Sequence, residues 1–176
     1  MFSSVVRAHL EDDTLPWRHA AISGWILDPD RKKMSKSKGN VVTPMHLLEQ
    51  YGSDAVRYWA ASARPGVDTA FDEGQMKIGR KLANKLLNAS KFVLSVEGND
   101  DASITEAIDR AMLADMATLV GECTAAFDSY DYARSLERTE AAFWRFCDNY
   151  LELVKNRAYG ATGPDGQASA VAALRL

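Results

Sequence analysis

Lys33-Met34-Ser35-Lys36-Ser37 lies within residues 31–38, where five of eight side chains are cationic and two of the others carry hydroxyls. Such a run is chemically suited to a polyphosphate. Lysine ammoniums are mobile point charges that can follow phosphate oxygens as their charge shifts during a displacement, and the two serines add hydrogen-bond donors. Gly39 permits a bend or close approach that a side chain would block, and Asn40 tolerates unusual dihedrals nearly as well. The loop is therefore expected to move. On composition alone, the same run also fits a solvated surface or a general nucleic-acid patch.

The order of the residues narrows that choice. The five-residue run followed by Gly39-Asn40 resembles the second signature of class I aminoacyl-tRNA synthetases. Upstream, Ile22-Ser23-Gly24-Trp25-Ile26-Leu27-Asp28 looks like the strand and turn that lead into that loop. Downstream, Val41-Val42-Thr43-Pro44 and then Tyr51-Gly52-Ser53-Asp54-Ala55-Val56-Arg57-Tyr58 follow as in the branched-chain subgroup. Phe146-Cys147-Asp148-Asn149-Tyr150-Leu151-Glu152-Leu153 is similar to an anticodon-binding helix of that subgroup. The likeness extends over nearly all of residues 1–176. It departs from common patterns at Ser23, where many relatives carry histidine, and at Lys38, where many carry leucine.

This resemblance implies a loop that holds the phosphates of ATP, with magnesium accompanying them, while a branched-chain amino acid is activated and passed to tRNA. On that basis Lys33 and Lys36 are the catalytic candidates. Lys33, Met34, Ser35, Lys36, Ser37 and Gly39 together form the candidate ATP-binding loop. The family's other nucleotide signature, a His-x-Gly-His tetrad, does not occur in these residues. The chain is accordingly expected to be an inactive fragment of a longer, monomeric enzyme. A tRNA-binding module without catalysis and a nonfunctional truncation product stay open beside that reading.

Composition sets outer bounds. A formal net charge of −3 argues against general polyanion binding, so any nucleic-acid contact must come from local basic patches. Cys123 and Cys147 stand apart without metal-ligand spacing and read as free thiols in a reducing cytosol; no metal site is expected. The opening residues lack the basic lead and long apolar stretch of a signal peptide, and no run approaches a membrane span, which points to the cytoplasm.

The elements that must position the loop are mostly helical. Residues 20–27 are short and apolar enough for a buried strand, expected to have both edges unpaired. Thr43 and Pro44 open a helix that Gly52 ends, and Ser53 caps another reaching residue 63, broken by Arg64-Pro65-Gly66. Asp72 caps a long helix, Glu73–Ser95, with a stripe of Leu82, Ala83, Leu86, Ala89 and Val93. After a polar linker at 97–103, Met112, Met116, Leu119, Cys123 and Phe127 mark one helix. Tyr132, Leu136, Thr139, Phe143, Phe146, Tyr150 and Leu153 mark another, a bundle seam rather than an aromatic cofactor box. Residues 160–166 read as a loop and 167–176 as an Ala-rich helix cut before its end.

The fold class expected is thus mainly α. It comprises the end of a Rossmann-type nucleotide-binding domain with one or two strands and the signature loop (1–44), a helical stem-contact region (45–100) and an incomplete anticodon-binding bundle (101–176). On the long helix, Lys77, Arg80, Lys81, Lys85 and Lys91 have no acidic residue among them. Lys77, Lys81, Asn84, Asn88 and Lys91 share one side at helical spacing. A solvated face and a tRNA phosphate-contact face both fit. The mixed charges at Glu137, Glu140, Asp148 and Glu152 with Arg134, Arg138, Arg145 and Lys155 read as a solvent face without chemistry.

Overall fold

The computed structural model describes residues 1–99 and 101–176. The first helix, α1 (Phe2–Asp12), buries none of its residues and ends where Asp13 turns left-handed. Residues 20–27 do not form the continuous buried strand expected. Only β1 (Ile26–Leu27) is strand, and Ile22, Trp25 and Ile26 are exposed, because apolar content alone does not supply a covering layer. Nor are both edges of β1 free. It pairs in parallel with β2 (Thr69–Ala70), in the register Ile26 to Thr69, after the helical crossover between them.

That crossover is set by local chemistry. Thr43 is extended and Pro44 supplies the fixed first dihedral of α2 (Pro44–Tyr51). Gly52, at φ 85°, ends α2 and itself precedes α3 (Ser53–Ala61), so Ser53 is the first helical residue rather than the cap. Asp72 opens α4 (Glu73–Ser95) by accepting from the Gly74 and Gln75 amides at 2.7 and 3.2 Å. This satisfies two of the donors a helix start leaves orphaned.

Helix α4 is the beam of the molecule, roughly 35 Å long at 1.5 Å per residue, and it serves two cores. Its first half buries Met76, Gly79 and Leu82. Met76 closes a cluster with Leu47, Tyr51, Ala55 and Trp59 from α2 and α3. Its far end, Phe92 and Val93, packs on a second cluster with Val96. Of the expected stripe Leu82 is buried and Ala83, Ala89 and Val93 are half-buried, but Leu86 is exposed, and Met76 and Gly79 extend the inner face toward the helix start. Gly79 is required by the close approach of α3, since a Cβ there would lie 2.5 Å from Tyr58 Cβ.

The second core is built by α5 (Ala107–Asp128), α7 (Leu151–Ala158) and α8 (Pro164–Arg175), and α6 (Tyr132–Arg145) packs along α5. Phe146–Tyr150 forms a π turn that joins α6 to α7. One extra residue in that turn rotates everything after it. Val154 and Ala158 become buried while Leu153, expected in the seam, is 67% exposed. The stripe expected on α5 is likewise incomplete, because Met116 and Phe127 face outward and the most buried residue of that helix is Asp109. The region read as a loop at 160–166 is partly helix: Gly163 precedes α8, and Pro164 starts it. Ala170, Val171, Ala172 and Ala173 lie in the interior.

Candidate functional site

The signature residues occupy a short excursion between β1 and α2. Lys33 bridges back to Leu27, Lys36–Lys38 form a single 3₁₀ turn, and Gly39 leaves it at φ 66°, where a side chain would be strained. Met34 and Ser35 are half-buried at the base, whereas Lys33, Lys36, Ser37, Lys38 and Gly39 are exposed. The two serine hydroxyls lie 3.2 Å apart. Lys33 Nζ rests 3.9 Å from the centroid of the Trp25 ring, a cation–π contact. Among the described residues, neither Lys33 nor Lys36 enters an ion pair.

The acid beneath these cations explains why their charge stays available. Asp28 is 7% exposed, and its carboxylate accepts from the Lys32 amide at 2.7 Å and from Asn40 Nδ2 at 2.7 Å. Asn40 Oδ1 accepts from the Ser35 amide at 2.9 Å, and Nδ2 also donates to the Lys33 carbonyl at 3.3 Å. The Lys32 amide, followed by the Asn40 side chain, holds the Asp28 carboxyl below the usual carboxylate range. Sequence reading passed over Asp28 and Asn40 as working residues. The signal was there in an acid immediately before a basic loop and an amide immediately after it.

The five cations on α4 are not equally free. Lys77, Lys81 and Lys91 are exposed and free of ion pairs among the described residues. Arg80 instead donates to the Gln50 carbonyl at 2.9 Å, tying α4 to α2. Lys85 is half-buried with its ammonium 5.7 Å from the Trp144 ring. A neighbouring contact also joins the two halves: the Tyr58 hydroxyl donates to Glu140 at 2.7 Å, and Glu140 accepts from Trp144 as well. Burial, then Glu140, push the Tyr58 phenol up to about 12. Glu140 is thus a seam residue, and not part of a purely solvated face.

In the bundle the structure brings together four residues that sequence reading did not. Asp109 is fully buried and is held by both Arg157 terminal nitrogens, at 2.5 and 2.7 Å. The Tyr150 and Ser169 hydroxyls also donate to it, at 2.8 and 2.7 Å. Burial pushes this carboxyl up, but Arg157 with the two hydroxyls more than offsets it, and the net shift is downward. Ser169 in turn accepts from the Thr105 and Glu106 amides at 3.1 Å, capping α5 from 64 and 63 residues away. The clue in sequence was a charged residue in register with Met112 and Met116. Cys147 is buried, which raises its thiol, while Cys123 sits 3.5 Å from the Thr139 hydroxyl. Among the described residues, no group of three or more His, Cys, Asp or Glu is set to hold a metal ion.

A helix-rich chain with this loop between a parallel strand pair and a helical bundle has the makings of a synthetase segment, and comparison with known families bears on the point directly. Residues 1–72 match the tRNA synthetases class I (I, L, M and V), and residues 109–175 match the anticodon-binding domain of tRNA ligases. The chain belongs to the class I tRNA synthetases. Within that class its near relatives are valine–tRNA ligases. That of Thermobifida fusca (strain YX) is 66% identical over 180 residues, covering 100% of this chain and 20% of the relative. The chain therefore spans about a fifth of the length of the curated relatives it matches. Among solved structures, Mycobacterium tuberculosis methionyl-tRNA synthetase in complex with methionyl-adenylate superposes with a TM-score of 0.67 at 26% identity, over 85% of this chain and 31% of that one. The LeuRS–tRNA–LeuAMS ternary complex of Agrobacterium radiobacter K84 gives 0.66 at 18% identity, over 98% and 22%, and speaks to the fold alone. No helix among the described residues is long and apolar enough to cross a membrane.

Proposed function

We propose that this chain is the part of a cytoplasmic, monomeric valine–tRNA ligase that carries the phosphate-binding loop, a stem-contact region and part of the anticodon-binding bundle. Its regions would be 1–44, 45–100 and 101–176 respectively. The observation that carries the reading is the exposed, ion-pair-free lysines of the signature turn, mounted on a buried acid that neutral donors satisfy. In the complete enzyme a valine carboxylate oxygen attacks the α-phosphorus of ATP, the bond to the bridging oxygen breaks, and pyrophosphate leaves. A hydroxyl of the terminal ribose of tRNA(Val) then attacks the valyl carbonyl, the acyl–phosphate bond breaks and AMP leaves.

Lys33 and Lys36 stabilise the charge that grows on the β- and γ-phosphates, and Gly39 is the hinge that lets the turn follow them. Ser35 and Ser37 support the turn. Lys77, Lys81 and Lys91 face tRNA phosphates; Arg80 and Lys85 could join them only by giving up the contacts they now make. Magnesium comes with ATP on its phosphate oxygens, and no residue of this chain is assigned to it. One loop cannot supply the amino-acid pocket and the alignment of reactants, so the chain alone leaves valine-dependent ATP–pyrophosphate exchange at the blank level.

The test uses the Thermobifida fusca ligase with its matching segment replaced by this chain. There Lys36→Ala lowers the rate of valyl-adenylate formation by about 10²- to 10³-fold, the scale of one lost donor at a developing charge. Valine binding changes little, since the contact strengthens only as pyrophosphate leaves. An unchanged rate in rapid-quench measurements removes Lys36 from the mechanism, and robust exchange by the isolated chain refutes the partial-site reading.

A further inference from the structure

The most fully built polar cluster in the loop region is the ring of hydrogen bonds at its neck. Each bond in it joins the two ends of the loop or fixes one of them. Asp28, the last residue of the lead-in segment, takes the Lys32 amide and Asn40 Nδ2, both at 2.7 Å. Asp28 also gives its own amide to the Lys32 carbonyl at 2.9 Å. From the far end, Asn40 reaches back to the Ser35 amide at 2.9 Å and the Lys33 carbonyl at 3.3 Å. Residues 28, 32, 33, 35 and 40 are thereby fixed relative to one another. What projects beyond the ring is the 3₁₀ turn and Gly39.

We propose that Asp28 and Asn40 are positioning residues, a clasp that holds the neck of the loop closed so that Lys33 and Lys36 meet a triphosphate on a preformed frame. The proposal rests on the phosphate-binding reading and deepens it. Two features make the pair suited to this role. First, the buried carboxylate is satisfied by an amide N–H and a side-chain amide, not by any of the five cations at 31–38, so holding the loop consumes none of the charge the ligand needs. Second, position 40 must donate and accept at once. A carboxamide does both in one plane; a carboxylate there would face Asp28 with like charge, and an aliphatic residue would leave the Ser35 amide unpaired. Closing the neck also lowers the conformational entropy the loop must lose on binding, which is the general gain from preorganisation.

The experiment has two arms, both on this chain. In the first, without ligand, amide hydrogen exchange is followed at Lys32 and Ser35. Asn40→Ala, which leaves the Ser35 amide without its acceptor, raises exchange at Ser35 about tenfold, and Asn40→Asp, which sets a second carboxylate against Asp28, raises exchange at Lys32 and Ser35 by opening the neck. The reciprocal pair Asp28→Asn with Asn40→Asp restores much of the protection lost in Asn40→Asp, because a carboxamide at 28 again donates to a carboxylate at 40 while the Ser35 and Lys32 amides keep their acceptors; only the donation to the Lys33 carbonyl is lost. Unchanged exchange in the single variants, or no recovery in the pair, overturns the clasp. In the second arm, inorganic tripolyphosphate is titrated at low ionic strength while backbone resonances of 33–39 are followed by NMR. Asn40→Ala weakens its affinity about tenfold with helical content unchanged, and the reciprocal pair regains it. Equal affinity in wild type and Asn40→Ala overturns the positioning role even if the neck has loosened. No response of 33–39 to tripolyphosphate in the wild-type chain overturns the phosphate reading and with it this role for the clasp, while the first arm still reports whether the ring itself exists.

Discussion

Two buried aspartates organise the two halves of this chain, and they are satisfied in opposite ways. Asp28 is held by an amide N–H and by Asn40, over sequence separations of 4 and 12 residues. Asp109 is held by the Arg157 guanidinium and two hydroxyls, over separations of 41 to 60. In the bundle a cation is spent on an acid, and the pair ties α5 to α7 and α8. At the loop no cation is spent on Asp28: Lys32 pairs with Asp30 at 3.5 Å and Lys33 lies over the Trp25 ring, while Lys33 and Lys36 stay outside any ion pair among the described residues. The difference teaches what each acid is for. A stabilising hub neutralises its charge internally; if the loop binds a polyphosphate as proposed, the hub beneath it has to leave positive charge unneutralised nearby.

The largest effect should therefore follow from removing Arg157. Arg157→Ala leaves Asp109 buried against only two hydroxyl donors, and breaking a buried pair from one side costs about 3–5 kcal/mol. Urea denaturation followed by circular dichroism measures it. Replacing both partners with apolar residues, Asp109→Leu with Arg157→Met, should cost less than Arg157→Ala alone, because no charge is left stranded. Asn40→Ala at the other hub should leave the urea midpoint nearly unchanged. A loss below about 1 kcal/mol for Arg157→Ala would reduce the buried pair to a surface-like contact and erase the contrast.

Acid sharpens the comparison next. Both carboxyls lie below their ordinary values in the folded chain. A depressed carboxylate contributes stability that is fully present above its unfolded pKa of about 4 and is lost as pH falls through the folded value. Stability of the wild-type chain should thus decline below about pH 4. Asp109→Asn, already less stable at neutral pH, should show a flatter decline over that window. Over the same window, the Lys32 amide should lose protection by local opening, ahead of or independently of the α8 amides. Urea midpoints at several pH values, with exchange measured at each, decide both points; identical slopes for wild type and Asp109→Asn would disconnect Asp109 from acid unfolding.

What could be read in the sequence follows the same division. The signature loop, the Asp72 cap and the Pro44 helix start were legible because each depends on neighbours in sequence: a spacing, a capping side chain, a fixed dihedral. The Asp109 hub was not, since its partners come from α7, α8 and the π turn, and periodicity reads a helix face without saying what meets it. The exchange of Leu153 for Val154 at the seam is a plain case. A strict count of three and four assumes unbroken α geometry, and one π turn invalidates the count for everything after it. The pairing of Ile26–Leu27 with Thr69–Ala70 was hidden for another reason, as two-residue strands carry no alternation to detect.

Between the halves, the Tyr58–Glu140 contact offers a smaller effect. Tyr58→Phe removes one hydrogen bond to a carboxylate at a half-buried seam and should cost about 1 kcal/mol. The phenol, pushed up to about 12, stays neutral in the fold where the unfolded group ionises near 10. Its contribution is accordingly complete below pH 10 and lost as pH rises toward 12. Thermal melts of wild type and Tyr58→Phe should converge over that interval. If they stay parallel, the hydroxyl is not what joins α3 to α6.

The smallest effect in free energy tests the idea of spent and unspent cations most directly, on α4. Lys77, Lys81 and Lys91 are exposed and outside any ion pair among the described residues, whereas Arg80 and Lys85 are engaged with Gln50 and Trp144. If the first three contact tRNA phosphates, changing them to Gln should flatten the plot of log affinity against log salt by ~0.7–0.9 for each lost contact. The loss should depend little on anticodon sequence, because backbone contacts position the nucleic acid without reading bases. Arg80→Gln with Lys85→Gln should behave the other way, lowering thermal stability while shifting the salt slope less, since those cations already serve the fold. The measurement is a salt titration of tRNA affinity for the three proteins, with circular dichroism to confirm equal helicity. Parallel plots for the wild-type chain and the triple variant would mean that Lys77, Lys81 and Lys91 face only water. An equal flattening in the Arg80 and Lys85 variant would mean that engagement within the fold does not withhold a cation from tRNA, and the distinction drawn at the two aspartates would not extend to this helix.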